Sequence, residues 1–367
     1  MFLKEVQRGI EGRNKGLNCG LKRLNKFING IQKKTYYLVG ALQKSGKTAL
    51  VDCIFVLYPY LLEKKANVKW IYYSYEIDLM EKMAKFCAFF MDYKHGIYCD
   101  SNYILGRGEH RVKPEHLPLI EDIYNNELID LFGKYDDEGH QLSEGRITFF
   151  EEKINPQGVK NYLMKYAEDN GEFIKKKVTI KGEEGQLKEI DVVTGYKEKD
   201  EDLYTIIIVD HLALTKREKG LNLKENIDRL SQHMVFFRNI CKFTPVLISQ
   251  FNRDMGKIER MKFSGEQLQP TLEDFKDSGD PGADASLVLG LFNPTLLPHL
   301  RTHLGYDLIK IGKSYRSLHI LASRNTETGV NLSLMMEGKT GMFRELPKND
   351  DNERLNEVYE YVQKFNK

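Results

Sequence analysis

The stretch "YYLVGALQKSGKTALVDCIF" (36–55) runs from an apolar segment into a turn holding glycine and lysine, then into a second apolar segment. A lysine set between two apolar runs calls for an anion. The part "ALQKSGKT" fits the P-loop pattern, with Ala41 in the place of the first glycine and Gly40 just before it. In such a turn a strand ends, the backbone N–H groups around Lys44 and Ser45 face inward, and a helix begins. Successive amides and the helix N-terminus then form a nest for phosphate. Gly46 lets the backbone approach the phosphates closely. Lys47 reaches the β- and γ-phosphates, and Thr48 presents its hydroxyl to Mg²⁺. The expected ligands are therefore ATP and Mg²⁺.

Outward from this turn, β-branched runs alternate with helical stretches. Strands are expected at 35–41, 68–76, 146–152, 203–210, 245–250 and 286–292. Several are apolar without alternation, which suits a parallel sheet covered on both faces. Between 223 and 241, Leu223, Ile227, Leu230, Met234, Phe237 and Cys241 step by four and three, one face of a helix. Asn222 and Glu225 form a capping pair at its start. The alternation implies an α/β doubly wound fold. Residues 306–325 and 330–346 read as antiparallel strands at a sheet edge, and 352–365 as a final amphipathic helix. The charged segment 171–202 carries two short β-like runs around "KGEEG" and reads as a solvent-exposed β-hairpin insertion.

The totals narrow the class. At 367 residues the chain can bury a large core, and its composition is that of a globular protein. No apolar run reaches the roughly 20 residues that span a bilayer. The N-terminal "MFLKEVQRGIEGRNKG" has no apolar core of a secretory signal. Five scattered cysteines fit neither a disulfide framework nor a zinc site, and point to a reducing cytosol. A net charge of +2 excludes a wholly basic nucleic-acid-binding surface and leaves room for a local one.

Three polar residues stand at strand ends. Asp210 closes the apolar run "LYTIIIVD", where Mg²⁺ needs an acidic second ligand. Glu76 ends "VKWIYYSYE". It reads either as the acid that orients or deprotonates an attacking water, or as an acid at a helix start that complements the dipole. Gln250 ends "PVLISQ", as a reporter on the γ-phosphate or as an ordinary strand-end amide.

These four signals, in this order, look like the RecA-type motor domain of DnaB-type replicative helicases. "GLKRLNKFINGIQKKTYYLVGALQKSGKT", "YSYEIDLMEKM", "IIIVDHLALT", "ENIDRLSQHMVFFRNICKFTPVLISQFNR" and "TLEDFKDSGDPGADASLVLGLF" carry the resemblance, the last with Ser278, Gly279 and Asp284. It covers most of 1–345 apart from 171–202. It implies a RecA-like P-loop NTPase core: a mostly parallel sheet with helices on both faces, an antiparallel C-terminal edge and the hairpin insertion. It divides the chain into a linker-type helix (1–18), a motor domain (19–345) and a C-terminal helix (346–367). It also assigns Lys47 and Thr48 to phosphates and Mg²⁺, Asp210 to Mg²⁺, Glu76 to water activation and Gln250 to sensing the γ-phosphate.

The family's arginine finger lies in a Lys-x-Arg pair. Here Arg324 matches the arginine and Ala322 replaces the lysine, with Lys313 or Arg316 as candidate substitutes. The resemblance further implies a ring, usually of six, with ATP at the interfaces and single-stranded DNA through the centre. The DNA-facing loops would be 215–224, with Lys216, Arg217 and Lys219, and 253–270, with Arg253, Lys257, Arg260 and Lys262. Each loop alone reads equally well as a solvated charge run. The leading helix, with Phe2, Leu3, Val6 and Ile10 on one face, would dock on the adjacent subunit, or else is a frayed end. The family's primase-contacting N-terminal domain has no counterpart here. That suggests a phage or mobile-element version in a bacterial cytoplasm, with a primase or helicase loader as partner. The expectation is thus a replicative DNA helicase and ATP hydrolase. The alternatives are a RecA- or KaiC-like recombinase or regulatory ATPase, and a slow nucleotide-gated loading factor.

Overall fold

The apolar strands line up at the centre of a nine-stranded sheet, and their order explains why they need no polar face. In the computed structural model, which describes residues 2–109, 111–181, 186–252, 268–275, 279–297 and 300–365, the sheet runs β13-β12-β11-β8-β1-β7-β6-β2-β3. Its parallel part comprises β1 (Tyr37–Ala41), β2 (Val68–Ser74), β3 (Ile147–Phe150), β6 (Tyr204–Asp210), β7 (Thr244–Gln250) and β8 (Leu287–Phe292). β11 (Tyr315–Ser323), β12 (Asn331–Met336) and β13 (Phe343–Glu345) add the antiparallel edge. Alternate residues of β1 serve two separate cores. Tyr37, Val39 and Ala41 face the layer holding the helices Lys22–Ile28 and Leu79–His95. Tyr36 and Leu38 face the layer of Pro156–Asn170 and Leu223–Cys241. Burial on both sides is what a parallel sheet between two helix layers requires.

The expected helix over 223–241 is Leu223–Cys241, and its capping box is formed: the Asn222 side chain accepts from the Glu225 N–H, and Glu225 accepts from the Asn222 N–H. One expectation fails. Residues 306–314 are not part of the edge strand. Tyr306–Asp307 (β10) pairs only with Thr302–His303 (β9), and a short helix, Leu308–Ile311, follows. Asp307 starts that helix by accepting from the Ile309 and Lys310 N–H groups, so a local cap overrides the apolar run.

The insertion is a hairpin of β4 (Gly171–Lys181) and β5 (Leu187–Glu198), paired with each other and outside the main sheet. Its base is anchored by Tyr196, whose hydroxyl donates to the Ala167 carbonyl at 2.7 Å and whose ring meets Phe173 and Phe243. The N-terminal helix, Phe2–Ile10, buries none of its residues. Ion pairs tie it and the turn after it to the body of the chain: Lys4 and Arg8 reach Glu201, and Arg8 and Arg13 reach Asp202. No helix among the described residues is long and apolar enough to cross a membrane.

For the site, the decisive feature is register. Ala41 lies opposite Gln250, and Ser74 opposite Asp210. The carboxyl ends of β1, β7, β6 and β2 therefore meet at one edge of the sheet, the usual place for a ligand in an open α/β fold.

Candidate active site

The strand β1 ends at Ala41 and the helix Lys47–Val51 begins after five intervening residues, so the loop between them is short and strained into special conformations. Gly46 has φ +94°, and a Cβ there would lie 2.5 Å from Met336 Sδ. Only glycine fits without displacing the neighbour. Gly40 is needed for a different reason: a Cβ would sit 2.3 Å from a Phe251 ring carbon and 2.5 Å from Phe275. Lys44 takes the left-handed conformation at φ 62°. Ser45 is buried, and its hydroxyl oxygen has no partner among the described residues.

Thr48 and Asp210, distant in sequence, meet at this loop. The Thr48 hydroxyl donates to Asp210 Oδ2 at 2.7 Å. Asp210 is 1% exposed, and its other oxygen, Oδ1, is buried without a partner among the described residues. Burial pushes the carboxyl up to about 6, against the pull of Lys82 and the Thr48 hydrogen bond. A hydroxyl beside a carboxylate with an unused buried lone pair is the donor set that Mg²⁺ accepts, so the residues fit the ion.

Glu76 follows β2 at the same edge. Its Oε1 lies 3.2 Å from His211 Nε2. The tautomer follows from the other ring nitrogen: the Ala213 N–H donates to His211 Nδ1, so Nε2 carries the hydrogen and donates to Glu76. Burial and the nearby Lys47 charge lower the His211 pKa, which keeps the ring neutral. Sequence reasoning missed His211, although it sits next to Asp210.

Lys44, Gly46, Lys47, Thr48, Glu76 and Gln250 all line one cavity of about 390 Å³. Met336, Gly338, Lys339, Thr340 and Gly341, the turn after β12, form another wall. That turn carries no motif and was not foreseen. It is braced from behind by Glu337, whose Oε1 accepts from Tyr361 of the C-terminal helix and from Arg344, both at 3.0 Å.

A buried ion pair supports the cavity. Lys82 on Leu79–His95 contacts both oxygens of Asp52, at 2.9 and 3.1 Å, and the Tyr72 hydroxyl at 3.0 Å. Tyr72 also donates to Asp52 at 2.8 Å. Asp52 continues the helix that starts at Lys47, and Lys82 lies in the helix just after Glu76. The pair thus clamps the phosphate loop to the segment bearing the acid.

The structure separates other expected site residues. Arg324 follows β11, which runs antiparallel to β8, with Ser323 opposite Leu287 at the start of β8. It therefore lies at the edge of the sheet opposite the loop, where its guanidinium donates to the Ala283 and Asp284 carbonyls at 2.9 and 3.3 Å. Arg316, offered above as a substitute cation, does not point outward. It is buried in its own subunit against the Ser45 carbonyl. Lys313 is exposed at the loop edge. Lys216, Arg217 and Lys219 are exposed on the segment after β6, whose path is fixed by Asn226: its side chain accepts from the Glu218 N–H and donates to the Lys216 carbonyl. Arg253, Lys257, Arg260, Lys262 and Ser278 lie outside the described residues. Asp284 accepts from the Ser231 hydroxyl at 2.7 Å, away from the cavity.

A phosphate loop at the carboxyl edge of a sheet of this order defines a RecA-like P-loop fold. No protein-family model matches the chain, and no curated protein matches it in sequence. Solved structures do match in fold. The ATPase domain of G40P aligns with a TM-score of 0.62 at 15% identity, over 94% of this chain and 97% of that one. A DnaB-like replicative helicase, described with its interactions with primase, aligns with a TM-score of 0.61 at 13% identity, over 94% of this chain. The chain spans 65% of that helicase's length. The chain thus shares its fold with the ATPase domain of G40P and with a DnaB-like replicative helicase.

Proposed function

We propose that the chain is an ATP-dependent DNA helicase motor, which assembles into a ring of about six copies, moves along single-stranded DNA and separates duplex ahead of it during replication. The observation that carries this reading is the meeting of Lys47, Thr48, Glu76 and Gln250 around one cavity at one sheet edge, with Asp210 buried behind it and hydrogen-bonded to Thr48. Each holds a part that ATP cleavage needs. The loop amides and Lys47 bind the β- and γ-phosphates. Thr48 and Asp210 would hold Mg²⁺, which when bound supplies positive charge to phosphate oxygens. Glu76, fixed by His211, accepts the proton of the attacking water. Gln250, at the tip of β7 beside Ala41, would report whether the terminal phosphate is present.

The remaining parts act between subunits. Arg324 would complete the site of a neighbouring copy, and Lys216, Arg217 and Lys219, with Arg253, Lys257, Arg260 and Lys262, would grip the DNA backbone. Contacts of that kind need no base readout and weaken steeply with salt. A primase or helicase loader is the further partner this role calls for, in a bacterial cytoplasm.

A second reading has two observations in its favour. Ala322 stands where the resemblance places a lysine, and Arg324 is occupied by backbone carbonyls. Both favour a slow nucleotide-gated loading factor. ATP turnover with and without single-stranded DNA, paired with unwinding of a forked duplex, separates the two. The motor is expected to be stimulated by DNA and to open the fork, and Lys47→Ala is expected to do neither. Turnover indifferent to DNA, with an intact fork, would leave the loading factor. Undiminished ATP cleavage by Lys47→Ala would end both readings.

A further inference from the structure

Beneath the phosphate loop lies a guanidinium that no acid among the described residues answers. Arg316, the second residue of β11, is 6% exposed. Its Nε donates to the Ser45 carbonyl at 2.7 Å, and its Nη1 to the carbonyls of Lys313 and Tyr315, each at 2.7 Å. Among the described residues no carboxylate pairs with it. Burial brings it down to about 10, and it therefore keeps its charge at neutral pH. The contrast with Lys82 is instructive. That buried cation of the same region has Asp52 at 2.9 Å.

A buried, unpaired charge is costly to a fold, and three neutral carbonyls compensate it only in part. Its location suggests what completes it. Ser45 is the residue of the phosphate loop that joins Lys44 to Gly46, and the Ser45 hydroxyl is itself buried and has no partner among the described residues. A positive charge behind that loop acts through a medium of low polarity, where its field reaches further than in water.

We propose that Arg316 is a positioning residue of the nucleotide site: it holds the Ser45 carbonyl and keeps an unneutralised positive charge under the loop, which destabilises the nucleotide-free protein and is answered when a polyphosphate binds. This rests on the reading of the loop as a nucleotide site. It differs from the direct contact of Lys47, because Arg316 lies behind the backbone and acts through it. Two consequences follow that ordinary packing would not produce. The benefit to binding grows with ligand charge, and removal of the charge makes the nucleotide-free protein more stable.

The test compares wild type, Arg316→Met and Arg316→Lys in thermal melts and in binding of ATP, ADP and AMP. Arg316→Met is expected to melt higher than wild type without nucleotide and to gain less from saturating ATP. Its affinity for ATP should fall on the order of tenfold, for ADP less, and for AMP hardly at all. Arg316→Lys keeps the charge and should stay within about threefold of wild type for ATP. Should wild type bind ATP while Arg316→Met binds it equally well, the inference fails and the nucleotide reading stands. An equal loss for all three nucleotides, or a loss in Arg316→Lys as large as in Arg316→Met, would assign Arg316 to loop geometry and overturn the charge argument. A folded wild type that binds none of the three would remove the nucleotide reading and this inference with it.

Discussion

The pair of His211 and Glu76 carries the finest detail of the site. A neutral imidazole donating from Nε2 fixes one carboxylate oxygen, and under the proposed function the other would accept from a water. Glu76→Gln should therefore bind ATP normally and cleave it about 10²–10⁴-fold more slowly. His211→Phe should lower kcat by roughly tenfold to a hundredfold with an unchanged Kd, because it misplaces the acid without touching phosphate. Single-turnover cleavage alongside nucleotide binding measures both. Lys47 and Thr48 were legible from sequence because their spacing is set by backbone geometry common to any phosphate loop, and Asp210 because it closes an apolar strand. His211 was not, because a histidine carries no positional rule of its own. Its role arises from the way the chain turns after Asp210, and only coordinates give the acceptor at Nδ1.

Among the elements, the clamp between the helix starting at Lys47 and the helix Leu79–His95 is the point most sensitive to change. Lys82→Met would leave Asp52 buried without its partner and should cost about 3–5 kcal/mol in urea unfolding. Replacing both, Asp52→Leu with Lys82→Met, should recover most of that stability, since a buried pair and a packed apolar pair are often close in energy. The antiparallel edge has its own sensitivity. His319 is pushed to about 3 by burial and by the neighbouring His303, whose pKa is also lowered. An unfolded chain protonates such a ring below about 6.5 and the folded protein does not. Their contribution is thus complete above pH 6.5 and is lost as pH falls from there toward 3, by about 1.4 kcal/mol per pH unit for a fully depressed histidine. Melting temperature followed from pH 7 to pH 4 should decline less in His319→Gln than in wild type. Strands and the capped helix were readable because apolar runs and an Asn-Glu cap are local signals. The turn Met336–Gly341 and the ribbon at Thr302–Asp307 were not, since their shape depends on the cavity and on one aspartate cap.

At the scale of the whole molecule, the placement of Lys47 and Arg324 matters more than either alone. The strand between them, β1, spans five residues, about 16 Å, and they sit beyond its two ends. Under the proposed function neither can serve the other within one copy. Mixing Lys47→Ala with Arg324→Ala, each expected to be inactive, should restore activity at about a quarter of the junctions, those that draw an intact residue from each partner. Steady-state ATP turnover of the mixture measures this, and silence in the mixture would tie both residues to one subunit. A subunit with its socket on one side and its plug on the other is never finished: each added copy satisfies one end and offers another. Whether the series shuts on itself or lengthens without limit then depends on the small rotation between successive copies. Specific activity should accordingly climb with protein concentration and level off only once no loose ends remain.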